Sequence, residues 1–199
     1  MRICPAGLLV AGVLVAVFVA GSLGAADRGL VASGSVASME RKLRHLENNG
    51  AQVHPDPTPT EITESEVNAY FASGRMDLPA GVDSVRFQSE PGVVTADTRV
   101  DFDRLKDGTS SFNPLLAVFT GIHDVVVVAH AHGAGSTGFV HVDSVSLDGG
   151  EIPRFALQLF VEKFLQPQYP DVGLDSRFRL PDRIASATVG EHKLTVLQK

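Results

Sequence analysis

No charged residue lies between Arg2 and Asp27, so Ile3 to Ala26 is an unbroken run of 24 uncharged positions. Its centre, Leu8 to Ala20, consists of Leu, Val, Ala, Gly and Phe alone. One positive charge ahead of an apolar run is the arrangement of a secretory signal, and Gly24-Ala25-Ala26 offers small residues for cleavage before Asp27. As a helix the run would extend about 36 Å, enough to cross a hydrocarbon core of about 30 Å, so an uncleaved anchor fits equally well. In both cases Arg2 on the inner side places the rest of the chain outside the cytoplasm. Residues 1–26 are therefore expected to be a signal peptide or membrane anchor.

Beyond it the pattern becomes periodic. Ser35 to Asn49 carries Met39, Leu43 and Leu46 at helical spacing, and a proline-rich spacer, His54 to Thr60, follows. Residues 27–60 are expected to form a stalk with a short amphipathic helix, and residues 61–199 a single domain. Thr63-Glu64-Ser65-Glu66 spells a capping box, predicting a helix through Val67, Tyr70 and Phe71 that ends at Ser73-Gly74. From Val82 the period falls to two. Val94, Ala96, Thr98, Val100 and Phe102 alternate with Thr95, Asp97, Arg99, Asp101 and Asp103, a strand with one wet face.

Val125 to His132 and Phe139 to Leu147 predict two further strands. Strict alternation puts Val125, Val127, Val140 and Val142 on one face, and Val126, Val128, Val145 and Leu147 on the other. Two apolar faces imply a sheet covered on both sides or wrapped around a cavity. Pro153 opens a helix running to about Gln166, stopped by Pro167 and Pro170. Gly190-Glu191 predicts a closing two-residue hairpin that pairs Val189 with His192 and Ala187 with Leu194. The fold class is α+β: a curved antiparallel sheet of five or more strands cradling a helix of the C-terminal half, behind an N-terminal signal or anchor helix.

Composition narrows the function classes. Net charge is −6, and without Arg2 the exported part holds 16 basic against 23 acidic residues. Such a balance argues against binding to a phosphate backbone, so no nucleic-acid partner is expected. Cys4, inside the apolar segment, is the sole cysteine, which leaves the domain without disulfide or thiol chemistry.

Few residues point to catalysis. Gly133, Gly135 and Gly138 match a dinucleotide fingerprint, but a strand follows where the phosphate-binding helix should start, so the glycines are expected to form a loose hairpin loop. Pairing Gly133 with Gly138 sets His130 opposite His141 and His132 opposite Phe139, with Asp143 on the same face. Imidazoles and a carboxylate in reach of one another make His130, His132 and His141 weak candidates for a metal. A solvated histidine face is the plainer expectation. Asp101 to Asp107 fails the calcium-loop template because Leu105 stands where an oxygen ligand belongs. Neither a nucleophile elbow nor a zinc-protease helix motif is present, and no enzyme activity or cofactor is expected. In the helix after Pro153, Leu157, Phe160, Val161 and Phe164 form one apolar stripe while Phe155 and Leu159 extend it around a second side. A helix apolar on most sides is either deeply buried or faces an apolar ligand. Phe155, Leu159, Leu157, Phe160 and Phe164 are accordingly the candidate ligand-lining residues.

Ile62-Thr63-Glu64-Ser65-Glu66-Val67-Asn68-Ala69-Tyr70-Phe71 resembles the T-E-x-E-x-N helix that opens YpmS-like and LmeA-like extracytoplasmic proteins. Gly149-Gly150-Glu151-Ile152-Pro153 before a Phe/Leu-rich helix, then Phe178-Arg179-Leu180-Pro181 and a final hairpin, is similar to the same family over about residues 60–199. The resemblance implies a tubular-lipid-binding-like sheet around a long helix, a lipid or lipid-like ligand, and no catalytic residue. The expected function is thus binding of an apolar or amphipathic ligand in the cell envelope, in the periplasm or anchored in the inner membrane facing out. An envelope interaction or assembly module is the alternative, and a metal-dependent hydrolase built on the three histidines a weaker third.

Expressed in a bacterial host, the chain should be recovered outside the cytoplasm. A loss of mass matching about 26 residues marks cleavage, and full-length membrane-bound protein marks anchoring. Full-length soluble protein in the cytoplasm contradicts export.

Overall fold

The computed structural model describes residues 30–76, 78–106, 114, 117–167, 169–181 and 183–199, so the expected signal or anchor segment lies outside the described residues. In chain order the elements are α1 (Leu30–Gly50), β1 (Thr60–Thr63), α2 (Glu64–Ala72), β2 (Val82–Glu90), β3 (Val93–Asp101) and α3 (Phe102–Leu105). They continue with β4 (Ile122–Ala134), β5 (Thr137–Leu147), β6 (Gly150–Glu151), α4 (Arg154–Phe160), β7 (Asp175–Arg179), β8 (Ile184–Gly190) and β9 (Lys193–Gln198). The architecture is α+β: among the described residues, nine antiparallel strands form one open sheet. No described helix is long and apolar enough to cross a membrane.

Strand β4 organises the sheet. On one side it pairs with β5 from Val125 to Ala134, and β5 in turn pairs with β6 and β7. On the other side it pairs with β3 from Ile122 to His130, then with β8 from His132 to Ala134. Gly92 bridges the change of partner, its carbonyl accepting from Ala131 N at 3.0 Å while its own N–H donates to Val189 O at 3.0 Å. Beyond β8 lie β9 and β1.

The two apolar faces expected for β4 and β5 are one face. A bulge at Asp143 pairs Val128 with Ser144 but Ala129 with Val142. Skipping one residue inverts the alternation, so Val140 and Val142 share the buried side with Val145 and Leu147. Val126 and Val128 are left half-buried on the outer side. The glycine-rich loop is likewise tighter than expected. Gly133 pairs with Gly138 as anticipated, but both lie within the strands, and the turn is Gly135-Ser136 with φ of 55° and 66°. Positive φ at both central residues matches a turn that follows strand twist. A Cβ at Gly138 would stand 2.2 Å from the Phe178 ring, so its lack of a side chain is what admits β7.

The closing hairpin turns at Glu191-His192, with Val189 opposite Leu194 and Ala187 opposite Val196. The expected loop was one residue early, which displaces the register by two and so keeps Ala187, Val189, Leu194 and Val196 on their expected face. His192 falls in the turn, and an irregularity between Ile184 and Ser186 interrupts the alternation at Ala185. Ala187, Val189, Leu194 and Val196 are all buried. Strand β3 ends at Asp101 rather than Phe102, because the Asp101 carboxylate accepts from Asp103 N and Arg104 N and so starts the short α3.

The helix after Pro153 reaches its expected length in two forms, α-helical to Phe160 and then a π turn, Val161–Leu165, in which Gln166 N donates to Val161 O at 2.9 Å. Ala156 and Leu157, Phe160 and Val161, Phe164 and Leu165 are buried in adjacent pairs four residues apart. A regular α-helix of 3.6 residues per turn would rotate such pairs off the core, and the wider turn takes up the lag. Phe160 sits with its ring centroid 4.4 Å from Phe119, 5.4 Å from Phe102 and 5.3 Å from Phe164.

Residues 27–60, expected to stand apart as a stalk, contain a helix that lies on the domain. Val36, Met39, Leu43 and Leu46 of α1 are buried in the same core as the sheet. At its C-terminal end Asn49 Nδ2 donates to Gln198 Oε1 at 2.9 Å, and Gln198 Nε2 donates to Leu46 O at 2.9 Å. Along its side Lys42 Nζ lies 2.7 Å from Glu66 Oε2. Burial alone would raise the Glu66 pKa. The bonds from Lys42, Ser38 and the Thr63 cap outweigh it and hold the carboxyl at about 2.

Truncating Phe160 to Ala should cost roughly 3–5 kcal/mol, read as a shift of the urea midpoint at unchanged slope. Phe155, 57% exposed on the same helix, has little packing to lose, and Phe155→Ser should cost less than about 1 kcal/mol. Equal costs would contradict the observed burial.

Candidate functional site

Helix α2 is fastened to the outer edge of β2 by its own side chains. Phe87 N donates to Asn68 Oδ1 at 2.7 Å, and Asn68 Nδ2 donates to Phe87 O at 2.8 Å. Ser89 N donates to Glu64 Oε2 at 2.9 Å. The Phe71 and Phe87 rings meet edge to face with centroids 4.9 Å apart, and Thr63 and Glu66 close the capping box that starts the helix. The helix ends at Ala72, and Gly74, with φ of 68°, turns the chain.

Past that turn a cleft of about 930 Å³ opens between the end of α2, the loop after it, and strands β2, β3 and β4. Phe71, Met76, Leu78, Val85 and Val125 supply apolar lining, with Thr98 lying between Val85 and Val125 across three strands. Charged residues of both signs line its margin. Arg99 pairs with Asp124 at 3.3 Å, Asp83 with Arg104 at 3.7 Å, and Arg86 stands opposite Asp97 in the strand register. A volume of this size with an apolar floor and a charged margin suits a small amphipathic molecule.

None of the five residues expected to line a ligand site borders this cleft. Leu157, Phe160 and Phe164 are core, Leu159 is half-buried, and Phe155 points into solvent. The cleft residues went unrecognised because Met76, Leu78 and Val85 carry no periodic signal and meet only through the fold. Asn68, a polar residue among the apolar positions of a short capped helix, was the one sequence signal close to the site.

The histidines occupy the outer face of β4, β5 and β7. His130 opposes His141, and His132 opposes Phe139, as their spacing predicted. His130 Nδ1 lies 2.7 Å from Asp143 Oδ2, His141 Nδ1 bonds Asp175, and Asp175 also accepts from Arg154 at 2.8 Å. The His141 bond, against the opposing effect of burial and with help from Arg154, holds Asp175 below the usual carboxylate range. His132 is not part of this ladder. It stacks on Phe139 at 4.9 Å, with the Arg177 guanidinium over the same ring. Among the described residues no group of three His, Cys, Asp or Glu side chains is placed to hold a metal ion.

A separate histidine fastens the turn that carries Phe119. His123 Nδ1 lies 2.6 Å from Asp148 Oδ2 and Nε2 lies 2.8 Å from Thr120 O, so both ring nitrogens face acceptors and the imidazolium is the form that donates to both. Asp148 first, and then the Thr120 carbonyl, raises the His123 pKa, while His123 and the Asp124 amide lower that of Asp148.

No family model, curated protein or solved structure matches this chain.

Because its folded pKa is raised, His123 stabilises the turn fully below the ordinary imidazole value of about 6.5, and that contribution is lost as pH rises through the raised value. Asp148, with a lowered pKa, contributes above its ordinary value and loses the contribution as pH falls through the lowered one. An NMR titration should give His123 a midpoint above about 6.5 that moves back towards that value in Asp148→Asn. An unshifted midpoint in both proteins contradicts the clamp.

Proposed function

We propose that this is an exported, non-enzymatic domain that binds an amphipathic, lipid-like ligand in the cell envelope. The observation that carries the proposal is the cleft, whose apolar floor of Phe71, Met76, Leu78, Val85 and Val125 lies beneath a charged margin. An acyl chain on that floor removes apolar surface from water, at about 25 cal/mol per Å² buried, while a polar group stays at the solvated margin. The likeness of the Ile62–Phe71 segment to YpmS-like and LmeA-like proteins points to the same ligand class. So does the uncharged N-terminal run, which directs export and, if retained as an anchor, would hold the domain beside a membrane.

The ligand site assigned here is the cleft rather than the outward side of α4. Ala72, exposed at the end of α2 and lining the cleft, gives a direct test, since a large side chain there fills the mouth without touching the core. Ala72→Trp should weaken displacement-measured binding of a fluorescent fatty acid about tenfold or more, at an unchanged melting temperature. Native mass spectrometry of the gently purified parent should show bound amphiphile. Absence of bound lipid, with no probe uptake by the parent, refutes the proposal.

A further inference from the structure

We infer that the ligand of the cleft carries an N-acylated amino acid unit, an acyl chain joined through an amide to –NH–CHR–CO–, held by the open edge of β2 at Val85. The inference rests on the cleft being an amphiphile site and adds the chemistry of the polar end.

Along β2, Phe87 and Ser89 turn their N–H and C=O groups away from β3. Phe87 gives both to the Asn68 side chain; Ser89 gives its N–H to Glu64, and its carbonyl accepts from His192 N at 2.9 Å. Helix α2 and the final hairpin thus stand in for a missing neighbouring strand. Outward-facing groups recur every second residue of an antiparallel strand, so Val85, opposite Thr98, directs its N–H and C=O the same way. The substitute strand ends with α2, and among the described residues neither group of Val85 has a partner. This open rung borders the apolar floor of the cleft.

In an antiparallel pair, both bonds of a rung come from one facing residue, its N–H on one side of Cα and its C=O on the other. An N-acyl amino acid has that pair of groups and also an acyl chain for the floor. A free fatty acid or a glycerol ester has the chain and an acceptor but no N–H donor. The register shift between Val82 and Ser84 breaks the regular ladder below Val85, so the open edge is one rung long and matches a single aminoacyl unit better than a peptide strand. Arg86, which forms no ion pair with a described residue, stands at the margin where a terminal carboxylate would lie.

The test compares N-palmitoylglycine with palmitoyloxyacetic acid, in which an ester oxygen replaces the amide N–H, by calorimetry on the exported protein, in nanodiscs if the anchor is retained. The parent should bind the amide about tenfold tighter, the usual scale of one well-made hydrogen bond. Val85→Pro deletes only an N–H that lies outside the ladder, a change an edge strand tolerates. It should weaken the amide about tenfold further than Val85→Ala, which keeps the N–H. Equal binding of amide and ester by the parent overturns the inference and leaves the cleft as an amphiphile site. Binding of neither overturns both. If Val85→Pro fails to fold, the amide-to-ester ratio of the parent alone decides.

Discussion

A strand can accept one neighbour on each side, and β4 is too long for any single neighbour to cover its outer side. It meets this constraint by taking β3 along its first part and β8 along its last, with Gly92 bonding both ways at the junction. Everything on the core face follows from the division. The β2–β3 hairpin and the β1–β9–β8 meander become two arms diverging from one strand, while β5 binds β4 on the opposite side and carries β6 and β7. An open sheet of this kind has edges that must be managed. The edge of β2 is managed by α2, and where α2 stops, the cleft starts.

This gives the T-E-x-E-x-N segment a physical meaning. Thr63 caps the helix, Glu64 accepts from the β2 edge, Glu66 ties the helix start to α1 through Lys42, and Asn68 supplies a complete rung to Phe87. Each conspicuous residue of the motif is a fastening, and together they hold a nine-residue helix that has only three buried side chains of its own. A helix so short has little independent stability, so its position depends on these polar bonds. The position of the cleft depends on them in turn.

The features legible in the sequence are those set by local chemistry: the capping box, the apolar face of α1, the pairing of Gly133 with Gly138, and the faces of the last hairpin. Three features were not legible, each for a definite reason. The Asp143 bulge inserts one residue without altering composition, so strict alternation assigned Val145 and Leu147 to the wrong face. The docking of α1 depends on Asn49 meeting Gln198, residues almost the full domain apart in sequence. Finally, the apolar character of the helix after Pro153 reads the same for a cavity wall and for a core, and the Phe102–Phe119–Phe160 cluster decides for core at Phe160. The candidate site itself was least legible, since its floor is gathered from α2, a loop and three strands.

The separation of polar chemistry from apolar space bears on function. The imidazoles of His130, His132 and His141 lie on the outer face of the sheet, whereas Val85, Thr98 and Val125 line the cleft from the inner one. No histidine borders the cleft among the described residues. A ligand on the cleft floor would meet backbone amides and a threonine, with Arg99 paired to Asp124 and Asp83 to Arg104 at the margin, where Arg86 and Asp97 also stand. Such surroundings hold and orient a molecule by apolar contact and polar groups at the margin. Retention of an amphiphile, with selection at its polar end, is the chemistry this arrangement favours.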